Sequence, residues 1–250
     1  MRPELLKSLQ FSIIERFDNL QEFQSQYFKD SFGDVVNLVH YKSLKELKCK
    51  NAFFIANEIF DAFPCELYYK GKTAEVLEHN VEFTMDDEWV SSKAKKYHKD
   101  RGEIAVGYEE FAKEMANSAE SFEFMSFDYG EMQARPDFSL RVYKEHKVLP
   151  FFIPKDEADY IARDELFAKT DITYDVTFAH IKDAYEEAGV KFIELKAQMV
   201  ALVDMGILNL LEMLKEKADQ KIYEQELQKA KILIMPDYLG ERFKMIRFRK

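Results

Sequence analysis

The hydrophobic pattern of the chain alternates between short apolar runs of strand length and longer stretches with helical periodicity. Residues 9–14 alternate and then become apolar, and from Asp18 apolar residues recur at helical spacing. Short apolar runs at 35–40 and 52–56 predict two more strands, with a helical turn at 43–47 between them. The order of strand, helix, strand, turn and strand favours an α/β protein with a parallel, Rossmann-like sheet.

The stretch from residue 65 to residue 90 has a different pattern. Polar and apolar residues alternate there with period two, which predicts an antiparallel β meander inserted after the third strand. Residues 91–102 are polar and basic and predict an exposed loop or a mobile helix. We therefore interpret residues 65–102 as an insertion in a single domain that covers residues 1–250.

The second half of the chain carries fewer strands and more helix. An amphipathic helix is predicted at 108–119, an apolar strand at 122–127 and an alternating strand at the end of the chain. Residues 131–158 contain three prolines and show little periodicity, which favours a long loop over one face of the sheet. This loop belongs to a predicted lid and helical region at 131–230.

The C-terminal helical pattern covers residues 197–230, with Gly206 as a break between two helices. Its apolar stripe is rich in methionine and is expected to lie in the core. The stripe consists of Met199, Leu202, Met205, Leu208, Leu211 and Met213. A further helix, ending near Gly189, is predicted to be capped by Asp175 or Thr173.

Composition and charge exclude several classes of protein. The 36 basic and 46 acidic residues leave a net charge of −10, which disfavours nucleic acid and anionic membrane surfaces as partners. Cys49 and Cys65 lack the spacing of a metal site and are too few for a disulfide framework, so no metal is predicted and a cytoplasmic location fits best. No apolar run has the length of a membrane span, and no glycine-rich phosphate-binding loop is present.

Three polar residues follow the apolar run 52–56, where the predicted strand ends. They are Asn57, Glu58 and Asp61. Because ligands of open α/β sheets bind beyond the carboxyl ends of the strands, these side chains are candidates for a functional site. The alternative is that Asn57 caps a following helix and the two carboxylates favour its first turn.

Carboxylates also follow two other predicted strands. Asp128 and Tyr129 come directly after the strand at 122–127, and Glu15 follows the strand at 9–14. In a nucleoside-binding sheet, an acidic residue at the end of the second strand can accept both ribose hydroxyls, because a carboxylate offers two acceptor oxygens. Glu15 has that position if one strand precedes it. A solvated charge is the alternative interpretation of Glu15.

Several stretches, in matching order over residues 9–248, resemble the MidA-type S-adenosylmethionine-dependent methyltransferases. This family includes the mitochondrial complex I assembly factor that methylates an arginine. Its two most specific motifs here are Asn57-Glu58-Ile59-Phe60-Asp61-Ala62-Phe63-Pro64 and Gly240-Glu241-Arg242-Phe243. The other matching residues are Ile14-Glu15, Leu20, Gln24, Phe127-Asp128-Tyr129-Gly130, Leu140-Arg141-Val142-Tyr143, His146, Asp171-Ile172-Thr173, Asp175, Val176 and Phe178.

The resemblance implies a class I methyltransferase sheet, mostly parallel, with the inserted meander and extra C-terminal helices. It implies S-adenosylmethionine as the cofactor and an arginine of a protein as the acceptor. A subunit of respiratory complex I is an example of such a protein. A guanidinium has a pKa above about 12 and stays charged. Making one of its nitrogens nucleophilic therefore favours acidic partners that orient the group and localise its charge. Glu58 and Asp61 would clamp it, Asn57 would hold the attacking nitrogen, and Asp128 and Tyr129 would close the far side. Glu15 would bind the ribose of the cofactor.

The sequence departs from this family in one motif. The family's glycine-rich motif, Glu-x-Gly-Pro-Gly-x-Gly, belongs upstream of Glu15 and has no counterpart here. We therefore expect the first βα unit and the central strand to be missing, and cofactor binding by this chain alone to be weak or absent. The alternative to an enzyme is a non-catalytic assembly or binding module with the same fold, truncated or degenerate. The sequence does not fix the oligomeric state, and a homodimer is one option.

Overall fold

A computed structural model describes the chain at residues 4–77, 80–144, 147–154, 160–162 and 170–250. The helices in these ranges are α1 (Glu4–Ser8), α2 (Asp18–Phe32), α3 (Glu88–Lys96), α4 (Tyr108–Ser118), α5 (Phe178–Glu187), α6 (Gln198–Asp204), α7 (Ile207–Lys217) and α8 (Gln220–Ile234). The strands are β1 (Gln10–Ile14), β2 (Asn37–Tyr41), β3 (Cys49–Asn57), β4 (Cys65–Tyr69), β5 (Lys72–Leu77), β6 (Asn80–Met85), β7 (Arg101–Ala105), β8 (Ala119–Glu131), β9 (Arg141–Lys144), β10 (Lys147–Pro150), β11 (Phe152–Pro154), β12 (Tyr160–Ala162), β13 (Asp171–Thr173), β14 (Val176–Thr177), β15 (Lys191–Ala197) and β16 (Phe243–Arg249).

The largest sheet is built around β8, which pairs along both edges. On one edge β3 runs parallel to it, up to the pair of Asn57 with Phe127, and the short β14 continues that edge. On the other edge β16 runs antiparallel to β8, and β15 runs antiparallel to β16. The α/β class is thus confirmed, but the sheet is mixed where a mostly parallel one was expected. An alternating pattern indicates a strand without indicating its direction.

The β1–α2–β2 unit forms a second, separate sheet. β1 and β2 pair in parallel, as expected from their order, but neither pairs with β3. Among the residues that the structure describes, β3 pairs only with β8, so its other edge has no strand partner. Phe53 and Ile55 on β3 are 58% and 68% exposed. The single parallel sheet predicted for the three strands is therefore split: β1 and β2 form one sheet, and β3 belongs to another.

The inserted meander lies where the alternating pattern placed it. β4, β5 and β6 pair antiparallel in sequence order, and β7 adds to the free edge of β4. Of the two alternatives for 91–102, the helix is correct for residues 91–96, which belong to α3, and the exposed loop is wrong there; β7 begins at Arg101. Asp87 caps α3 by accepting the Val90 N–H, and Val90 and Ala94 are buried.

The long loop predicted at 131–158 is also corrected. β9, β10 and β13 form a three-stranded antiparallel sheet, and β11 pairs with β12. Val142, on β9, is fully buried. Residues 145–146 and 155–159 of the predicted loop lie outside the described residues. These strands have three or four residues, too few for a period to be visible between prolines and charges.

The C-terminal helices break at Gly206, as predicted, where φ is 89°. The expectation that their methionine-rich stripe lies in the core is wrong, because Met205 and Leu208 are both 47% exposed. Helical spacing shows that apolar residues share a face, but not what that face packs against. No helix in the described part of the chain has the length and apolar character needed to cross a membrane.

The core lies between the large sheet and helices α4 and α5. The ring of Tyr185 on α5 stacks on Phe248 and Phe124, with ring centroids 4.2 and 5.5 Å apart. Phe60, in the loop after β3, contacts the ring of Tyr108 at 5.3 Å and is fully buried. Packing of this density holds the loop after β3 against the end of the sheet.

Candidate functional site

The site is formed where the parallel strands β3 and β8 end side by side. The pairing of Asn57 with Phe127 places Asp128 and Tyr129 next to the loop at 58–64. No helix follows β3, because this loop turns directly into β4. The helix-capping interpretation of Asn57, Glu58 and Asp61 is therefore wrong.

Asp128 fastens this loop to the sheet. Its side chain is fully buried, and its Oδ2 accepts the Phe60 N–H at 3.0 Å while its Oδ1 accepts the Tyr129 N–H at 2.9 Å. Burial, together with the nearby Asp61 carboxylate, raises the pKa of Asp128 to about 7. Because both oxygens are engaged by backbone amides, the structure gives Asp128 a positioning role.

Asp61 is the buried carboxylate that Tyr129 holds in place. The Tyr129 hydroxyl donates a hydrogen bond of 2.6 Å to Asp61 Oδ2. The other oxygen, Oδ1, is buried and has no hydrogen-bond partner among the described residues. A buried acceptor without a donor costs about 1–3 kcal/mol, so such a group invites a ligand that donates to it.

Two guanidinium groups lie over the ring of Tyr129. Arg141 Cζ is 4.8 Å from the ring centroid and Arg242 Cζ is 5.6 Å from it. Arg141 forms an ion pair with Asp175, and this carboxylate raises the Arg141 pKa against the opposing effect of burial. Asp175 also binds Arg135. The charge of Arg141 is therefore balanced locally, whereas Asp61 has no ion pair among the described residues.

A hydrogen-bond network connects the inserted meander to this site. Glu103 on β7 is buried and accepts the backbone N–H groups of Ser139 and Leu140, both at 2.8 Å. The Ser139 hydroxyl in turn accepts the Asp175 N–H at 2.9 Å. Asp175 pairs with Arg141, Arg141 lies over the ring of Tyr129, and Tyr129 donates to Asp61. The meander thus fixes the groups that surround Asp61.

Asn57 and Glu58 lie on the exposed side of the same strand end. The Asn57 side-chain amide donates to Glu58 Oε1 at 2.9 Å, and the Glu58 N–H bonds the Phe127 carbonyl at 2.9 Å. Glu58 has a φ of 49°, in the left-handed region that non-glycine residues rarely adopt. The predicted clamp therefore consists of one exposed and one buried carboxylate, which differ strongly in their surroundings.

Glu15 lies at the carboxyl end of β1, as predicted, in the separate two-stranded sheet. Its Oε1 accepts the Phe17 N–H at 2.9 Å, and the Gln24 side chain lies 3.5 Å from its Oε2. His40 Nε2 is 3.0 Å from Gln24 Oε1. A carboxylate with these partners retains lone pairs for further donors, such as hydroxyls.

Sequence reasoning assigned no role to Arg141 and gave Asp175 the wrong one. Asp175 or Thr173 was expected to cap the next helix, but α5 begins at Phe178 without a side-chain cap, and Asp175 pairs with arginines instead. The available signal was Arg141 itself, a cation within the apolar tetrad Leu140-Arg141-Val142-Tyr143. A charge in such a setting needs a buried partner.

Fold and site together define an α/β protein with a buried carboxylate site at the carboxyl ends of its central strands. A family described as "Putative S-adenosyl-L-methionine-dependent methyltransferase" matches residues 1–196, and the chain belongs to this family. No curated protein matches the chain at a significant level.

Two solved structures from Burkholderia thailandensis share the fold. The first, described as a "likely methyl transferase" bound to S-adenosyl-homocysteine, has a TM-score of 0.78 at 18% identity; the match covers 96% of this chain and 64% of that one. The second, described as uncharacterized and, like the first, as a member of the COG1565 superfamily, has a TM-score of 0.77 at 18% identity; the match covers 96% of this chain and 66% of that one. This chain therefore spans less than two thirds of the length of either neighbour.

Proposed function

We propose that the protein serves S-adenosylmethionine-dependent methylation of an arginine side chain on a cytoplasmic protein acceptor. The sequence resembles the MidA-type family, which includes an assembly factor that methylates an arginine of a complex I subunit, and this resemblance supports the proposal. The observation that carries the proposal is Asp61, a buried carboxylate with one oxygen held by Tyr129 and the other without a donor. A guanidinium supplies planar N–H donors together with the opposite charge.

In this proposal the residues of the chain position the acceptor. Asp61 Oδ1 accepts a hydrogen bond from the guanidinium, Tyr129 fixes the carboxylate plane, and Asp128 holds the loop that carries Asp61. Glu58 and Asn57 are placed at the exposed side, where an acceptor segment enters. Orientation is the main contribution required, because the electrophile already carries its leaving group.

Glu15 is the described residue that suits the cofactor. Its carboxylate lies at a strand end and retains acceptor capacity for the two ribose hydroxyls. S-adenosylmethionine, when bound, supplies an activated methyl group. None of the eight glycines forms a GxGxxG loop, so this chain offers no comparable cradle for the methionine part.

A second candidate function is a non-catalytic module that binds an arginine-bearing segment. It is favoured by the separation of the β1–β2 sheet from β3. This separation leaves the predicted cofactor residue, Glu15, and the predicted acceptor residue, Asp61, at the ends of strands in different sheets. Such a module keeps the Asp61 site without using a cofactor. The two candidates differ in what they bind, which makes them separable.

Peptide binding tests the Asp61 site. A labelled glycine-rich peptide with one arginine is compared with its lysine counterpart by fluorescence anisotropy. We expect tighter binding of the arginine peptide and a loss of about tenfold or more in Asp61→Asn, because hydrogen bonds between charged groups are worth about 1.5–3 kcal/mol. The exposed Asp237→Asn is the control. Equal binding of both peptides, or unchanged binding by Asp61→Asn, would contradict the acceptor site.

Calorimetry with S-adenosyl-homocysteine, together with mass spectrometry of the peptide after incubation with S-adenosylmethionine, separates the two candidates. Saturable cofactor binding and methylarginine support the enzyme. Arginine-peptide binding without cofactor binding supports the module, and weak or absent cofactor binding is our expectation for this chain alone. Methylation of lysine instead of arginine would overturn the acceptor assignment.

A further inference from the structure

Helices α7 and α8 form a hairpin with an open apolar groove. α7 contains six apolar residues among eleven, yet none of the eleven is buried. α8 buries only Ala230 among fifteen residues. The groove between them has a volume of about 710 Å³, and Ile207, Leu210, Leu214 and Leu233 contribute to its wall.

This groove is exposed to solvent in the described structure. Leu210 and Leu233, which both line the groove, are 56% and 40% exposed, while the hairpin packs on α6. Apolar side chains grouped on one face of a helix normally pack against another element, because water contact is unfavourable for them. The hairpin therefore presents a surface suited to a further pair of helices.

The charge of the hairpin distinguishes it from the rest of the molecule. Residues 207–234 carry equal numbers of acidic and basic side chains, whereas the whole chain has a net charge of −10. The acidic residues are Glu212, Glu216, Asp219, Glu224 and Glu226, and the basic ones are Lys215, Lys217, Lys221, Lys229 and Lys231. Two copies of an acidic protein repel each other least when a face without net charge forms the contact, whereas a basic partner would bind an acidic face better.

We propose that this hairpin is the interface of a homodimer, in which two copies pack groove to groove as a four-helix bundle. Two-fold symmetry requires a self-complementary surface, and the hairpin has one because it combines an apolar groove with balanced charges. Lys217 on α7 and Glu226 on α8 line the same groove from opposite helices. A two-fold axis along the groove can therefore bring opposite charges together at its rim.

Sedimentation velocity of the chain between about 5 and 100 µM tests the proposal. We expect a species of twice the 29.6 kDa chain mass. Leu210→Glu and Leu233→Glu should each raise the dimer dissociation constant at least about 100-fold. The control is Val76→Glu on β5, a residue that is 57% exposed and lies outside the hairpin, which should leave the dimer intact.

A monomer at 100 µM would overturn the proposal, and so would a dimer that survives both leucine substitutions. Loss of the dimer in Val76→Glu alone would place the interface elsewhere and would also overturn it. Circular dichroism checks that the leucine variants keep their helical content. If they lose it, the exposed Lys217→Glu decides: it should weaken the dimer about tenfold or more, and an unchanged dimer would contradict the interface.

Discussion

The two parts of the predicted site differ in how the rest of the protein holds them. α4 and α5, which pack on the sheet that carries Asp61, Asp128 and Tyr129, each bury five residues. α2, which follows Glu15, has fifteen residues and buries none of them. Both parts begin from the same arrangement of a polar residue at a strand end, yet only one of them is enclosed by packing.

The strand end that is covered by helices is also the one whose strand is paired along both edges. Asp128 and Tyr129 lie on β8, which has strand partners on both edges, so their backbones are fixed. Glu15 lies on β1, which pairs with β2 alone among the described residues. An unpaired edge beside an exposed face leaves backbone groups and apolar side chains open to solvent.

The largest effect is expected from a pair of matched phenylalanine substitutions. Phe60→Ala should lower the free energy of unfolding by about 3–5 kcal/mol, because Phe60 is fully buried among aromatic rings. Phe23→Ala on α2 should change it by less than about 0.5 kcal/mol, because Phe23 is 70% exposed. Urea denaturation measures both. Equal losses would show that α2 is packed as well as the core, and would remove the difference between the two parts.

Much of the enclosed part was predictable from the sequence, because it rests on simple patterns. The apolar run 52–56 and the strand at 122–127 were recognised from local sequence, and both are longer in the structure. Their pairing lies between distant parts of the chain and brings Asp61 to Tyr129, 68 residues away. That contact followed only from the general rule that parallel strands end at one edge.

The surroundings of Asp61 were not predictable, because they depend on tertiary partners of charged residues. Asp175 has the local pattern of a helix cap, yet two arginines compete successfully for its carboxylate. The exposed face of α7 has the pattern of a core helix, and periodicity alone cannot distinguish a core from an interface. In both cases the local sequence is compatible with more than one partner, and the tertiary contacts determine which partner the side chains have.

The ion pair behind Tyr129 provides the next test. Asp175→Asn removes the carboxylate that balances Arg141, whose side chain is only 15% exposed. We expect a loss of about 2–3 kcal/mol in unfolding free energy, because a largely buried cation is left unpaired. Arg135→Ala is the control; its side chain is 54% exposed, and its loss should cost less than about 1 kcal/mol. Equal effects in the two variants would mean that Asp175 acts only at the surface.

Asp128 should make stability depend on pH in a direction opposite to that of most carboxylates. Its pKa is raised from 3.8 to about 7 in the folded state. Between these two pH values the folded protein therefore binds a proton at Asp128 that the unfolded chain has lost. The stabilisation is complete below about pH 4 and is lost as the pH rises through 7, with a slope on the order of 1 kcal/mol per pH unit. Denaturation from pH 4 to pH 8 should show this slope in the wild type and not in Asp128→Asn.

The control for this measurement is Asp237→Asn, which changes an exposed carboxylate and should retain the wild-type slope. Asp128→Asn also loses one acceptor for the loop, which lowers its stability by an amount that does not depend on pH. The difference in slope, rather than the offset, is therefore the informative quantity. A slope that persists in Asp128→Asn would assign the titration to another group and would weaken the distinction between the two parts.

The smallest effect on stability is expected at Glu15, in the two-stranded β1–β2 sheet. Ligand binding is therefore the more informative measurement there. Glu15→Ala removes the hydrogen bond to the Phe17 N–H and should cost at most about 1 kcal/mol. It should also weaken any binding of S-adenosyl-homocysteine while leaving arginine-peptide binding unchanged, with the exposed Glu22→Ala as control. The reverse result, a weaker peptide and an unchanged cofactor, would move Glu15 to the acceptor side. The two strand ends would then serve one ligand instead of two.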